Sequence, residues 1–339
     1  MYSKPLNHWT TERKTNKYKR MRIVVLDGFT LNPGDLSWKA VERLGQVEVY
    51  DRTRPEQVME RLAGAEIALT NKVVLDATLL ENLSPTLRYV GVLATGYNVV
   101  DVEAAKRLGI CVTNIPAYST ASVAQMVFAH LLNLTNHVAH YTQKAKEEGK
   151  WVTSQDFCFC DRPLTELANR TMGVVGLGRI GMAVAQIAIS FGMNVVAFTS
   201  KKQEDLPNGI QKADMDEIFT QSDVISLHCP LTEDTLHLVN EKRLRTMKRD
   251  AILINTGRGP LIDEAAVAKA LKEGELGAYA ADVISVEPAQ ADNPLLSAPR
   301  VQLTPHIAWA SKEARIRLMQ ICAHNIEMFL KGNPQNVVS

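Results

Sequence analysis

Long apolar runs are missing from this chain of 339 residues, so nothing in it reads as a bilayer-spanning helix. An excess of charge is missing too. Lys and Arg number 38 against 37 Asp and Glu, a formal net charge of +1, so no global field favours nucleic acid or a membrane surface as partner. Cysteine is scarce and odd in number: Cys111, Cys158, Cys160, Cys229 and Cys322 are scattered over the chain. That pattern argues against a disulfide framework and suits the reducing cytoplasm. Cys158-Phe-Cys160 resembles half a metal site, but no second Cys or His pair follows at zinc spacing, so they read as loop cysteines and no metal is expected.

What is present is an ordinary globular composition, 46% hydrophobic and 22% charged, on a chain too long for one core. Two domains are therefore expected. Residues 1–20 stand apart. Lys4, Arg13, Lys14, Lys17, Lys19 and Arg20 face only Glu12, and there is no apolar stretch of the kind a secretory signal carries. This segment reads as a disordered basic tail, an upstream extension ahead of Met21.

From Arg22 on, short apolar runs alternate with helical patterns. Strands are expected at 22–27, 47–50, 67–69, 89–92 and 111–112, with helices at 36–44, 55–62, 76–80 and 102–108. The alternation argues for a parallel, doubly wound α/β sheet over 21–118. Ala121 to His140 reads as one long helix, apolar nearly all round and so buried on several sides, between domains or subunits. His130, His137 and His140 along it read as surface or interface histidines. A polar, turn-rich connection follows from Lys144 to Arg170. A second α/β series has strands near 173–175, 194–198, 224–228, 251–255, 278–282 and 301–304. Ser311 to Lys331 closes the chain as an amphipathic helix capped by Ser311, and it is expected to return to the first domain.

The organising stretch is Gly176-Leu-Gly178-Arg179-Ile180-Gly181, a G-x-G-x-x-G between a strand pattern and a helix pattern. Gly176 permits a tight turn, Gly178 lets a pyrophosphate approach the backbone, and Gly181 lets helix and strand pack closely. The helix N-terminus then offers N–H groups to phosphate. A dinucleotide site follows. After the second strand, where an acidic residue normally holds the ribose hydroxyls, the chain reads Thr199-Ser200-Lys201-Lys202. Two hydroxyls and two lysines suit a 2′-phosphate, so NADP(H) is favoured over NAD(H). Solvated lysines with NAD(H) bound are the other reading.

Three polar residues follow buried strands of the second series: Arg258 in Asn255-Thr-Gly-Arg-Gly259, Glu287 in Asp282-Val-Ile-Ser-Val-Glu-Pro288, and His306 in Thr304-Pro-His-Ile-Ala-Trp-Ala310. Ligands of open α/β sheets gather at the carboxyl ends of strands. Hydride transfer to a ketone needs a proton donor, a charge partner for it and a group that orients an oxo acid. His306, Glu287 and Arg258 can take those roles in that order.

With these motifs in place, the chain from about Arg22 onward resembles the D-2-hydroxyacid dehydrogenases. The resemblance implies a Rossmann dinucleotide-binding domain, 119–307, inserted in a flavodoxin-like substrate domain, 21–118 with 308–339. It implies Arg258 for substrate binding, His306 as acid/base and Glu287 as its partner. It also implies that the backbone of Ala94-Thr95-Gly96-Tyr97-Asn98 grips the substrate carboxylate. Asp282 is implied to contact the nicotinamide amide, and His228-Cys229-Pro230 and Thr256 to line the cofactor. An interdomain cleft and a homodimer through the Ala121 helix are further implications. Asp156 to Leu167 and Pro305 to Ala314 are similar to the glycerate dehydrogenase and hydroxypyruvate reductase branch. Ile307-Ala308-Trp309 stands where phosphoglycerate dehydrogenases usually have Ile-Gly-Gly, and the chain ends soon after the last helix, so no C-terminal regulatory domain is expected. The departure is Thr199 in place of the acidic residue. Reduction of hydroxypyruvate, with glyoxylate as a further substrate, is the expected activity. A different D-2-hydroxyacid dehydrogenase, such as a phosphoglycerate enzyme, and a nucleotide-sensing corepressor on the same fold are the alternatives.

Overall fold

The computed structural model describes residues 21–339; the basic segment 1–20 lies outside the described residues. The described residues divide into two compact units, one formed by 21–118 together with Ala310–Ser339, the other by Ser119–Trp309.

In the first unit the strands are β1 (Arg22–Val25), β2 (Gln46–Val49), β3 (Ile67–Thr70), β4 (Tyr89–Val92) and β5 (Cys111–Thr113). They form one parallel sheet in the order β2-β1-β3-β4-β5, the flavodoxin-like order. Ile-Ala-Leu-Thr of β3 and Tyr-Val-Gly-Val of β4 are buried throughout, as strands covered on both faces must be. The helices are α1 (Lys39–Glu42), α2 (Val58–Leu62), α3 (Ala77–Leu83) and α4 (Val102–Arg107). Asp76 and Asp101 cap the last two, accepting from Leu79 N and Ala104 N at 2.9 Å each. Leu62, Leu80, Leu83 and Ala104 pack with Val24, Leu26 and Val90 in one core. The helix expected over 36–44 shrinks to α1. The Asn32 side chain accepts from Gly34 N and Leu36 N and donates to Leu36 O, which holds 32–36 as a loop.

The second unit carries β6 (Thr171–Val175), β7 (Asn194–Phe198), β8 (Ile210–Lys212), β9 (Val224–Leu227), β10 (Ile252–Asn255), β11 (Ala278–Ala281) and β12 (Val301–Leu303). All pair in parallel, in the order β12-β11-β10-β9-β6-β7-β8. This is the Rossmann order with one strand added beyond β11. Its helices are α5 (Thr120–Asn136), α6 (Val138–Thr142), α7 (Arg179–Ser190), α8 (Met215–Gln221), α9 (Glu241–Leu244) and α10 (Glu264–Glu273). The strand β8 has no sequence signal, because only Ile210 of its three residues is buried. The helix expected from Ala121 to His140 breaks at His137. That residue is left-handed, φ 51°, and the Asn133 carbonyl and side chain receive the N–H groups of His137 and Ala139.

The chain then returns to the first unit. Helix α11 (Lys312–Leu330) is capped by Ser311, whose hydroxyl accepts from Ala314 N at 3.3 Å. Leu318, Cys322 and Ile326 bury one face, and Arg315 forks onto both oxygens of Asp35 at 2.7 Å.

Candidate functional site

At the end of β6 the chain turns through Gly176, whose φ is +94°; a Cβ there would lie 2.7–2.8 Å from the backbone of His228 and Cys229. The β9 turn and the glycine turn are therefore in backbone contact. A Cβ on Gly181 would lie 2.0 Å from the Gly176 carbonyl oxygen, so only glycine lets α7 start so close to β6. Gly178 is the N-cap of α7, makes no side-chain cap, and a Cβ there would meet nothing within 4 Å. Open space thus lies above a helix N-terminus whose first turn, Arg179 and Ile180, presents unclaimed donors. This is a cradle for a phosphate group.

Beyond β7, Thr199 accepts from Lys201 N at 3.2 Å, and Ser200 and Lys201 are exposed. Lys202 faces Glu204 at 3.6 Å on the surface and is partly neutralised there. Beyond β9, the Ser226 hydroxyl lies 2.8 Å from His228 Nε2, and burial pushes the His228 imidazole down to about 4. Cys229 is half-buried, which raises its thiol, so it is a poor nucleophile, and Pro230 is exposed.

Arg258 follows β10 and is exposed, with its guanidinium 2.8 Å from the Gly257 carbonyl. Its backbone is held by Asn255, which is fully buried. The Asn255 side chain donates to Arg258 O at 2.8 Å and accepts from Gly257 N at 3.0 Å. A Cβ on Gly259 would strike the Ile284 carbonyl carbon at 2.0 Å, so this glycine brings the turn against the segment that leads to Glu287. Thr256 Oγ1 is buried with no hydrogen-bond partner among the described residues. A buried hydroxyl left unpaired is costly and calls for a ligand partner. With the glycine cradle, it makes the residues present fit a nicotinamide dinucleotide.

His306 and Glu287 meet. His306 Nδ1 lies 2.6 Å from Glu287 Oε2, with both side chains about one third exposed. His306 has φ 53°, uncommon for a residue with a side chain, and Asp282 supports that backbone. Asp282 follows β11 and is 1% exposed. Its carboxylate accepts from Thr304 Oγ1 at 2.6 Å, Ile307 N at 2.9 Å and Ala308 N at 2.7 Å. The expected contact between Asp282 and a nicotinamide amide would have to share this crowded carboxylate. In the first unit, Thr95, Gly96 and Tyr97 follow β4. The Thr95 hydroxyl donates to Ile115 O at 2.8 Å and its carbonyl accepts from the Asn114 side chain at 2.8 Å, which holds the turn.

The histidines of the long helix correct the sequence reading. His130 is neither surface nor interface in its own unit; it is 5% exposed, with Nε2 3.2 Å from Thr304 Oγ1. His140 lies beyond the break and pairs with Asp161 at 2.9 Å, a carboxylate its sequence neighbours do not reveal. Among the described residues no group of three or more His, Cys, Asp or Glu is placed to hold a metal ion. Nor is any helix there long and apolar enough to cross a membrane. Asn255, Thr304 and His130 are the site residues that sequence reasoning passes over. The first two lie inside the motifs that carry Arg258 and His306, and that adjacency was the available signal.

The arrangement can bind a dinucleotide at the carboxyl end of one parallel sheet and offer a cation and a paired imidazole beside it. Comparison with known proteins agrees. A hydroxypyruvate reductase from Blautia hydrogenotrophica is 50% identical over 323 residues, covering 94% of this chain and 100% of that protein. A glycerate dehydrogenase from Methylorubrum extorquens is 44% identical over 292 residues, covering 85% of this chain and 90% of that protein. Among solved structures, an acyclic imino acid reductase in complex with NADPH and D-Arg superposes with a TM-score of 0.81 at 33% identity. That match covers 94% of this chain and 100% of the other. The sequence model for "D-isomer specific 2-hydroxyacid dehydrogenase, NAD binding domain" matches residues 128–308, the stretch that holds the glycine turn, Arg258, Glu287 and His306. The chain is a member of the D-isomer-specific 2-hydroxyacid dehydrogenase family of nicotinamide-dependent oxidoreductases.

Proposed function

We propose that this enzyme reduces hydroxypyruvate to D-glycerate. The observation that carries the reading is the His306–Glu287 pair at 2.6 Å, set in the same unit as the Arg258 turn and the glycine cradle. The hydroxypyruvate reductase and glycerate dehydrogenase relatives support the choice of substrate.

Glu287 takes Nδ1 of His306, so the proton that leaves for substrate sits on Nε2. Arg258 binds the substrate carboxylate and polarises the neighbouring carbonyl. The backbone of Thr95, Gly96 and Tyr97 is assigned to the same carboxylate. A reduced nicotinamide, when bound, supplies the hydride that adds to the carbonyl carbon. His306 delivers its Nε2 proton to the carbonyl oxygen, Glu287 steadies the imidazolium before that transfer, and solvent returns the proton afterwards. Gly176, Gly178, Arg179, Ile180 and Gly181 are assigned to the pyrophosphate. Thr199, Ser200 and Lys201 are assigned to the adenosine end, and His228, Cys229, Pro230, Thr256 and Asp282 to the nicotinamide side.

NADP(H) is the favoured cofactor, because hydroxyls and Lys201 replace the usual carboxylate after β7. A homodimer formed through α5 is part of the same reading. An apolar groove of about 640 Å³, lined by Ala124, Phe128, Leu132, Ala183 and Ile187, runs between α5 and α7. The cytoplasm is the assigned compartment. The test is oxidation of NADH and NADPH, in parallel, with hydroxypyruvate as substrate. Faster turnover with NADPH, moved towards NADH by Thr199→Asp, is expected. No turnover with either cofactor, while both bind, overturns the substrate assignment.

A further inference from the structure

His130 is a buried imidazole that the proposed reaction does not touch, yet it reaches the loop that carries the acid/base. It projects from α5, which packs against β10 and β11. Its Nε2 lies 3.2 Å from Thr304 Oγ1, and its Nδ1 lies 3.5 Å from the Gln302 side-chain amide. Thr304 in turn lies 2.6 Å from Asp282 Oδ1.

Asp282 holds the whole turn that follows. Its backbone carbonyl accepts from His306 N at 2.8 Å, its Oδ1 from Ile307 N at 2.9 Å and its Oδ2 from Ala308 N at 2.7 Å. Three successive N–H groups therefore converge on one residue. This convergence accompanies the left-handed backbone of His306, φ 53°, a conformation a residue with a side chain keeps only when its surroundings impose it. The backbone that carries the His306 ring is thus held in part by Asp282, together with Trp309, whose Nε1 donates to His306 O at 2.9 Å.

Hydrogen-bond inventory then orders the chain. A hydroxyl has one hydrogen and a carboxylate only accepts, so Thr304 donates to Asp282. The Thr304 oxygen is left to accept from His130, and Nε2 of that ring carries the hydrogen. Nδ1 is then the acceptor, served by the Gln302 amide turned with its NH₂ towards the ring. Burial lowers the pKa of His130, which keeps the ring in this neutral form.

We propose that His130 is a positioning residue for the reduction: through Thr304 it aims and fixes the Asp282 carboxylate, and so the loop that presents His306. The proposal rests on the reading of His306 as the acid/base. It differs from a packing role in its readout, because the relay acts on the geometry of proton transfer and leaves the cofactor cradle at α7 alone.

The experiment measures kcat, the KM for hydroxypyruvate and the Kd for reduced cofactor in His130→Leu, His130→Gln, Thr304→Val and Thr304→Ser, in the double variant His130→Leu with Thr304→Val, and in His306→Ala. His130→Leu should lower kcat about tenfold, and Thr304→Val on the order of a hundredfold, since small displacements of a reacting group carry penalties of that size. Cofactor Kd should change far less than kcat, since the pyrophosphate cradle at α7 is untouched and only the Asp282 contact assigned to the nicotinamide side can shift. His130→Gln, which keeps an N–H near the Nε2 position, and Thr304→Ser should each recover most of the loss. The double variant should be no slower than Thr304→Val alone, because both changes cut one chain. Undiminished kcat in His130→Leu, or losses that multiply in the double variant, overturns the relay. Should His130→Leu fail to fold, Thr304→Val against Thr304→Ser decides, and equal kcat in these two overturns it. A dead His306→Ala beside a fully active His130→Leu removes the relay alone, whereas an active His306→Ala removes the acid/base reading and the relay together.

Discussion

Arg258 is exposed and carries its charge at the end of a buried strand, held there by a residue with no solvent contact. Arg258→Ala should raise the KM for hydroxypyruvate and lower kcat together, with kcat/KM falling by about a hundredfold or more. Steady-state kinetics checks this; a change confined to cofactor affinity would contradict the assignment. His228 yields a pH prediction. Its folded pKa, pushed down to about 4 by burial, lies below the ordinary value of 6.5. The unfolded chain therefore binds the extra proton first as pH falls. The stability contributed by the neutral ring is complete above 6.5 and is lost progressively down to about 4. Denaturant unfolding at pH 7 and pH 5 should show wild type losing roughly 1–2 kcal/mol more than His228→Gln, allowing for partial solvent access. At this scale the placement of Arg258, Glu287 and His306 past strand ends was legible, because each follows an apolar run at a short, readable distance, while their chemical roles rest on the proposed function. His130 was not. Its partner Thr304 is 174 residues away in sequence, and a histidine among apolar neighbours looks the same whether it is bonded or idle.

Elements of the second unit bring the glycine turn, Arg258 and His306 to the carboxyl end of one sheet, and the tightest fit among them is where α7 meets β6. Gly181→Ala would place a methyl carbon 2.0 Å from the Gly176 oxygen. The helix must then move off the strand, at a cost of about 1–3 kcal/mol, and its N-terminus must leave the phosphate position. A lower Tm together with weaker cofactor binding is expected; calorimetry and cofactor titration check it. Strand positions were legible almost throughout, since fully buried parallel strands are short continuous apolar runs. Three features were not: the helix expected over 36–44, which the Asn32 loop shortens to α1, the strand β8 and the end of α5. The edge strand β8 buries only Ile210, and α5 ends at His137 because Asn133 supplies a cap that competes with further helix. Periodicity alone carries no trace of that competition, as Val138 and Ala139 continue the apolar pattern.

Across the whole molecule, the chain leaves its first unit after Tyr118 and returns at Ala310. The return is tied by Asn325 on α11, which is fully buried. It donates to Asn114 O at 3.0 Å and accepts from the Asn336 side chain at 2.8 Å. Asn325→Leu strips partners from both neighbours and should cost about 1–3 kcal/mol, read as a lower denaturant midpoint with an unchanged slope. Arg315, 9% exposed and forked onto Asp35, makes the same link at the other end of α11.

Local order in this protein follows from amino-acid order. Apolar runs bounded by turns make the strands, the glycine spacing makes the cradle, and the residue after each strand end becomes a candidate for chemistry. These are short-range effects of sterics and hydrophobic pattern, and they can be read without coordinates. Which nitrogen of His306 faces Glu287, how the buried Asp282 is satisfied, and that His130 reaches the segment that carries His306 all depend on pairs well apart in the chain. Such pairs are selected by packing and by the need to satisfy every buried polar group. That need acts only once the sheet is assembled.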